Sequence, residues 1–276
     1  ALAAAAGVDT PDHDAGLPTA GGAPSAEAHR PAAEAGIAGF PAGVRAGTFF
    51  HSIFETLDFA RPEPRTVVAA KLKEFGFDSS WKEPVCGMIA DVLDLPLFDG
   101  PSPVRLAKVN RDRRITEMEF YFPLNLVTPA DLEAVFARHG APPAGETIER
   151  LHFAPTRGFM KGFIDLVFEQ RGRYYLVDWK SNRLGAAPED YHCRRLGPVM
   201  REHLYDLQYH IYTLALHQYL RRRIPGYEYA RDFGGVCYVF LRGVRRDRGP
   251  EYGFFRDRPD PRLVQALGEA LIPDYA

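Results

Sequence analysis

Apolar residues recur at helical spacing where the first aromatic-rich part of the chain begins. Between Gly47 and Leu57 apolar side chains occupy positions 50, 53, 54 and 57, which predicts a helix with Thr48 as its N-cap. The same reasoning predicts further helices over residues 65–75, 84–95, from Thr128 onward with Pro129 at its first position, 200–219 and 263–272. The helix over 200–219 is expected to be long and amphipathic.

Strand patterns are interspersed with these helices. Residues 114–123 alternate in the manner of a strand, and 235–241 form an unbroken apolar run that is typical of a buried strand. In 114–123 the apolar side chains are Ile115, Met118, Phe120 and Phe122. Strands and helices mix without a strict strand–helix repeat, so we expect an α/β fold with a mixed central sheet flanked by helices.

The clearest local prediction is a β-hairpin in the middle of the chain. Two apolar runs, 162–169 and 174–180, flank the pair Arg171-Gly172. A two-residue loop of this kind fixes the register of the strands on either side. Residue 170 then pairs with residue 173, and the pairing can be counted back along both strands.

That count brings two acids and a lysine together. Asp165 falls directly opposite Asp178, with Cβ atoms about 5 Å apart, and Lys180 points to the same face as Asp178. Two facing carboxylates repel each other unless a cation lies between them. Oxygen ligands of this type suit Mg²⁺, and the nearby lysine suits metal-dependent hydrolysis. The alternative is an exposed hairpin in which Asp178 and Lys180 form a plain ion pair, but the strongly apolar strands disfavour it.

Composition limits what else the chain can be. It has 276 residues, 46% of them hydrophobic, and a net charge of -2, so bulk positive charge does not hold nucleic acid here. No apolar run approaches the roughly 20 residues of a membrane span. The cysteines (Cys86, Cys193 and Cys237) are scattered, which excludes a disulfide framework or a four-cysteine cluster and suits a reducing, cytoplasmic setting.

The first 43 residues have a different composition from the rest. They are rich in Ala, Gly and Pro, with no aromatic residue before Phe40, and we expect a disordered linker at 1–43 followed by one folded domain at 44–276. The chain begins with Ala rather than Met, as a fragment or a processed product would.

Five segments along the chain form a recognisable set: GFMKGFIDLVF (158–168), YYLVDWKSN (174–182), GTFFHSIFE (47–55), DLQYHIYTL (206–214) and FGGVCYVFLRG (233–243). Together they resemble the nuclease domain of the RecB family, the beta subunit of exodeoxyribonuclease V, within the PD-(D/E)xK nuclease superfamily. They follow the order that the family requires, from about residue 44 to near the C-terminus. The resemblance implies a restriction-endonuclease-like core.

The resemblance also implies the roles of individual residues. Asp165 and Asp178 match the family's metal-binding acids and Lys180 its catalytic lysine. His51 matches a helix-borne metal ligand, and Trp179, where Tyr is more usual, would contribute its backbone carbonyl. From the residues alone, a lone histidine such as His51 is more typical of a buried core position.

Three further residues are candidates for contact with DNA. Gln208 and Tyr212 match the family's Q-x-x-x-Y motif and lie one helical turn apart, although a plain buried hydrogen bond would explain them nearly as well. Lys161 could contact a phosphate, but such a basic residue is more often simply solvated. Glu55 and Glu119 are possible supporting acids near the site.

The implied function is Mg²⁺-dependent cleavage of DNA during the repair and recombination of double-strand breaks. The implied partners are single strands from unwound duplex ends, RecC- and RecD-type subunits, and the helicase part of RecB, with no membrane. No GxxxxGK[ST] motif occurs, so no ATPase activity is expected from this chain. The alternatives are a catalytically inactive nuclease fold used for binding, or a stand-alone nuclease of the Cas4 or AddB type, whose relatives typically carry four cluster-binding cysteines.

Overall fold

A single five-stranded mixed sheet forms the centre of the protein. The structure, a computed structural model, describes residues 36–140 and 156–275, so most of the predicted linker and the predicted loop at Pro142 and Pro143 lie outside the described residues. The strands are β1 (Arg114–Val127), β2 (Thr156–Gln170), β3 (Arg173–Lys180), β4 (Phe233–Phe240) and β5 (Phe254–Asp257). Their spatial order is β1-β2-β3-β4-β5.

The sheet is mixed because one neighbouring pair of strands is parallel. The β3–β4 pair is parallel, and the other neighbours are antiparallel. The chain between β3 and β4 contains the helices that make this crossover possible. The prediction of an α/β fold with a mixed sheet is confirmed.

Helices cover both faces of this sheet in the described part of the chain. They are α1 (Val44–Thr56), α2 (Pro64–Glu74), α3 (Lys82–Asp94), α4 (Pro129–Arg138), α5 (Cys193–Glu202), α6 (Tyr205–Arg223), α7 (Tyr229–Asp232) and α8 (Pro261–Leu271). Short 3-10 helices span Ile37–Gly39, Ser79–Trp81, Leu106–Lys108, Arg111–Arg113, Pro188–Tyr191 and Leu241–Gly243. None of the helices described combines the length and apolar character that crossing a bilayer requires.

The predicted N-cap of α4 is confirmed, and the predicted N-cap of α1 is wrong. Thr128 caps α4 and exchanges hydrogen bonds with Asp131 in a capping box. Thr48 is not the N-cap of α1, because the helix already begins at Val44 and the Thr48 hydroxyl donates to the Val44 carbonyl. The prediction placed the helix start at the first polar capping residue and missed the preceding turn.

The long helix predicted over 200–219 is wrong in two respects. Leu204 has a φ of 58°, in the left-handed region, and separates α5 from α6. The helix α6 is also buried around most of its circumference, whereas Ile211 and Tyr219 of the predicted apolar stripe are only half-buried. A helix enclosed on several sides has no single polar face, so an amphipathic pattern does not describe it.

Two apolar cores lie on opposite faces of the sheet. Leu166, Val177 and Trp179 belong to the core under α1, α2 and α3, while Leu176 and Tyr238 belong to the core under α4, α5, α6 and α8. Alternate side chains of β3 and β4 therefore enter different cores, as expected for strands that are buried on both faces. Side chains near the end of β3 can reach either layer of helices.

A buried arginine ties the beginning of the domain to the segment after β3. Arg242 is 2% exposed, and its guanidinium donates to the carbonyls of Ser181 (2.6 Å), Phe40 (2.5 Å) and Pro41 (2.7 Å). Phe40 itself is fully buried in the first core. Packed structure thus begins before residue 44 in the described part of the chain.

Candidate active site

The hairpin that carries the predicted acids has the expected two-residue loop. Gln170 pairs with Arg173, and both loop residues have positive φ, 57° at Arg171 and 75° at Gly172. Positive φ at both central positions is the conformation that matches the twist of a tight hairpin. The ladder continues to the pair Leu166–Val177, as the count predicts, and ends there, so a direct pairing of Asp165 with Asp178 is not part of it.

Beyond that pair the Asp165 side chain bonds to the neighbouring strand. The backbone amide of Trp179 donates to Oδ2 of Asp165 at 2.7 Å. The ladder between β2 and β3 ends at Leu166–Val177, whereas β2 continues to pair with β1 and β3 with β4. The acids therefore lie where two strands diverge, which opens the sheet at that point.

A second irregularity lies opposite Asp165 on the other side of β2. The register of β1 and β2 includes Thr116–Leu166 and Met118–Ile164, and Glu117 lies between these pairs, across from Asp165. Glu117 has a φ of 50°, a conformation that costs a non-glycine residue about 1–2 kcal/mol. Strain of this kind is held in place by surrounding structure and is common at functional sites.

Three side chains that can bind a metal ion lie close together at these irregular positions. One ligand atom from each of His51, Glu117 and Asp165 lies within 4.8 Å of the others. His51, on α1, places Nδ1 3.5 Å from Oδ1 of Asp165 and Nε2 3.0 Å from the carbonyl oxygen of Trp179. With Nε2 donating to that carbonyl, a neutral His51 ring has a lone pair on Nδ1, and this lone pair faces the Asp165 carboxylate. A cation between the two groups would remove their repulsion.

Burial is the main cause of raised pKa values in the neighbouring carboxyl groups. Burial raises the pKa of Glu117, with Glu55 and Asp178 adding to the rise and His51 opposing it. Burial first, and then the charge of Asp165, raises the pKa of Asp178 to about 7, against the lowering effect of Lys180. A divalent cation would favour the ionised forms of these groups.

Asp178 is turned toward Lys180 rather than toward the ligand group. The Nζ of Lys180 lies 2.8 Å from Oδ1 of Asp178, and the two residues are 1% and 2% exposed. The exposed ion pair considered as an alternative is therefore wrong, because the pair is buried. The structure brings Asp165, His51 and the Trp179 carbonyl together and places Asp178 beside them, paired with the lysine.

Gln208 and Tyr212 form a hydrogen-bonded chain behind the lysine. Oε1 of Gln208 accepts from Nζ of Lys180 (3.2 Å) and from the hydroxyl of Tyr238 (2.9 Å). Its Nε2 donates to the hydroxyl of Tyr212 at 3.1 Å. The ammonium group also lies 3.9 Å from the centre of the Tyr205 ring. These contacts fix the position of the ammonium group, and contact of Gln208 or Tyr212 with DNA stays a prediction.

Lys161 lies apart from this cluster, further along β2. Its ammonium group is 3.3 Å from Oε1 of Glu119 and 5.3 Å from the Phe163 ring centre, and the side chain is 43% exposed. A phosphate contact by Lys161 stays a prediction.

The sequence did contain a signal for Glu117, which was not among the predicted site residues. The apolar positions of this strand are Ile115 and then Met118, three residues apart, whereas those after Met118 are two apart. A change of phase in a strand indicates an irregularity in its pairing. The acid inside that interval, Glu117, is the residue with positive φ.

Comparisons with known proteins agree with this geometry. The sequence profile described as the PD-(D/E)XK nuclease superfamily matches residues 31–269. The RecBCD enzyme subunit RecB of Escherichia coli K12 is 42% identical over 231 residues, which is 83% of this chain and 19% of that protein. The subunit of the same name from Haemophilus influenzae is 37% identical over 85% of this chain and 19% of its own length. That of Mycobacterium tuberculosis H37Rv is 31% identical over 85% and 24%. The chain thus spans about a fifth of the length of these relatives.

Proposed function

This chain belongs to the PD-(D/E)XK nuclease superfamily, as a RecB-like nuclease domain, and we propose that it hydrolyses phosphodiester bonds of DNA with the help of Mg²⁺. The observation that carries the proposal is the group formed by His51, Glu117, Asp165 and the Trp179 carbonyl. This group lies next to the buried pair of Asp178 and Lys180.

The donor set fits a divalent cation. It offers two carboxylates, a backbone carbonyl and one imidazole nitrogen, and oxygen donors are those that Mg²⁺ prefers. When bound, Mg²⁺ supplies Lewis acidity and a water molecule of lowered pKa. Asp178 is a further carboxylate beside this region: burial raises its pKa, and the charge of Asp165 adds to the rise.

Lys180 has the role of a fixed positive charge. Asp178 and Gln208 hold its ammonium group from two sides, and burial keeps it largely out of water. A charge that is already in position stabilises the negative charge that develops on the phosphate, without reorganisation during the reaction. Gln208 and Tyr212 act here through Lys180.

The larger assembly is proposed by analogy with the relatives. They are RecB subunits of RecBCD enzymes and are about five times longer than the matched segment. We propose that this domain works in the same kind of complex in the cytoplasm, beside a helicase part and RecC- and RecD-type subunits. In that setting it receives single strands from unwound ends during double-strand break repair.

Neither alternative has comparable support. In the described residues, the group of possible metal ligands contains no cysteine, unlike the cluster implied for Cas4-type nucleases. A catalytically inactive fold would not need a strained Glu117 beside two ionisable ligands. The intact acids and lysine favour activity.

Cleavage of 5′-labelled linear single-stranded DNA tests the proposal. The chain should cleave with Mg²⁺ and not in EDTA, and Asp165→Asn should reduce the rate by about 100-fold or more because a charged ligand is lost. Asp112→Asn, at an exposed acid away from the site, is the matched control and should cleave normally. Undiminished cleavage by Asp165→Asn would refute the proposal.

A further inference from the structure

Beyond the site, β1 and β2 continue as a two-stranded ribbon. Their pairing runs on to Leu124–Gly158, whereas β3 pairs with β2 only from Leu166 to Gln170. One face of this ribbon is covered, since Phe120 and Ile164 are buried in the second core. The opposite face carries the intervening side chains of both strands.

Aromatic rings are exposed on that opposite face. Tyr121 and Phe159 are each 60% exposed, and their rings stack with centres 4.6 Å apart and planes 10° from parallel. Large exposed aromatic residues on a folded domain usually mark a binding surface. A flat pair of rings is also the surface on which a nucleobase stacks.

A lysine and a third ring fill the space between this pair and the site. Lys161 is paired with Tyr121 across the ribbon, and its ammonium group lies 5.3 Å from the ring centre of the half-exposed Phe163. The ion pair of Lys161 with Glu119 is exposed on both sides, so it opens at little cost when a phosphate arrives.

These side chains lead directly to the ligand group. Met160 and Ile164 of β2 pack in the second core, so Phe159, Lys161 and Phe163 lie on the other face of the ribbon. Asp165 contacts His51 of α1, in the helix layer on that other side of the sheet. Every second residue of a strand advances ~7 Å, so Phe159 lies ~20 Å along the strand from Asp165. That length accommodates a few nucleotides of an extended strand.

The low net charge of the chain favours one mode of DNA binding over another. With a net charge of -2, the protein has no excess of basic residues with which to attract a polyanion broadly. Stacking on aromatic rings is independent of base sequence and needs few lysines. The ribbon face supplies three rings and one lysine in line with the site.

We propose that Tyr121, Phe159 and Phe163 form a stacking platform that, with Lys161 at a phosphate, holds single-stranded DNA as it enters the active site. This inference rests on the proposed function and adds a substrate-binding surface to it. The platform contributes to affinity for the strand and leaves the chemical step to the residues around Asp165 and Lys180.

Binding and kinetics of the full chain test the platform. The double variant Tyr121→Ala/Phe159→Ala is compared with Tyr121→Phe/Phe159→Tyr, which keeps both rings, and with Leu126→Ala, which removes a 64% exposed aliphatic side chain from the same strand. Affinity is measured by fluorescence anisotropy with fluorescein-labelled (dT)20 in EDTA. The kcat and KM for cleavage of unlabelled (dT)20 are measured with Mg²⁺.

The alanine pair should weaken binding at least about tenfold and raise KM correspondingly, with kcat within about twofold of the wild type. The ring-keeping pair and Leu126→Ala should behave as the wild type. If the wild type cleaves and the alanine pair binds equally well, the platform is wrong and this face serves another partner. If the ring-keeping pair loses as much affinity as the alanine pair, stacking is not the cause. A wild type that neither binds nor cleaves overturns the proposed function, and this inference with it.

Discussion

The backbone amide of Trp179 donates a 2.7 Å hydrogen bond to the carboxylate of Asp165. This bond joins β2 and β3 just past the last pair of their ladder, and the other oxygen of the same carboxylate faces His51. The Asp165 side chain therefore links the two strands where they separate and also belongs to the ligand group. It has both a structural role and a role in the proposed chemistry.

The two roles of Asp165 can be separated by substitution. Asp165→Asn keeps an oxygen that can accept from Trp179, so the free energy of unfolding should stay within about 1 kcal/mol of the wild type. Asp165→Ala leaves a buried amide without its acceptor and should cost about 1–3 kcal/mol. Both variants should lose cleavage. Urea unfolding compared with cleavage rates checks this, and equal stability of the two variants would contradict the structural role.

Strain at Glu117 predicts a gain in stability at the expense of activity. Glu117→Asn places a residue that tolerates left-handed backbone at a φ of 50° and removes a half-buried acid, so it should stabilise the protein by about 1 kcal/mol. Cleavage should fall, because a ligand is lost. Thermal unfolding and cleavage rates provide the two readouts.

Arg171→Asn is the matched control for that substitution. Arg171 has a φ of 57° in the hairpin loop, where Asn followed by Gly172 is the favoured pair. This variant should be similarly stabilised and fully active. If it lost cleavage as Glu117→Asn does, the link between Glu117 and metal binding would fail.

Gln208 should affect the rate of cleavage rather than substrate affinity. Gln208→Ala removes the acceptor that Lys180 and Tyr238 share, so the ammonium group loses its position and kcat should fall about tenfold. A residue that contacts DNA directly would instead raise KM. Steady-state kinetics separates the two, and Gln265→Ala, on the exposed face of α8, serves as the control.

Acid should destabilise the fold through histidines of α6. Burial lowers the pKa of His217 to about 4, from an ordinary value of 6.5, and burial also lowers the pKa of His210. The unfolded chain therefore takes up protons between pH 6.5 and 4 that the folded chain does not, so stability is lost as pH falls through that window. Urea unfolding of His217→Gln should show a shallower loss between pH 6.5 and 4, with a constant offset from the wild type above pH 6.5. A slope identical to that of the wild type would contradict this assignment.

Local sequence rules predict the hairpin, but they do not predict the break at Leu204 or the short strand β5. The loop at Arg171-Gly172 fixes its own register, so the pairs from Gln170–Arg173 to Leu166–Val177 follow from counting alone. The break at Leu204 has no local marker, since no glycine or proline follows it within the helical pattern, and the packing of α5 and α6 decides it. β5 has only four residues and was missed because so short a strand has almost no pattern of its own.

The direction of the Asp178 side chain is likewise a property of the assembled fold. Strand alternation places Asp178 and Lys180 on one face, but the partners of the lysine come from α6 and β4, far away in sequence. The ligand group includes Glu117 from β1 because Glu117 has a positive φ and lies across from Asp165, between the pairs Thr116–Leu166 and Met118–Ile164. Resemblance to a family supplied His51, which its helical context alone would have left as a core residue.

The account depends above all on one cation site formed by His51, Glu117 and Asp165. Mn²⁺ binding followed by electron paramagnetic resonance, together with Mn²⁺-supported cleavage of linear single-stranded DNA in the same samples, tests it most directly. The account predicts that the wild type binds Mn²⁺ and cleaves, and that Asp165→Asn and Glu117→Gln lose both together. A wild type that cleaves DNA without binding a metal ion, or an Asp165→Asn variant that binds and cleaves as the wild type does, would contradict it.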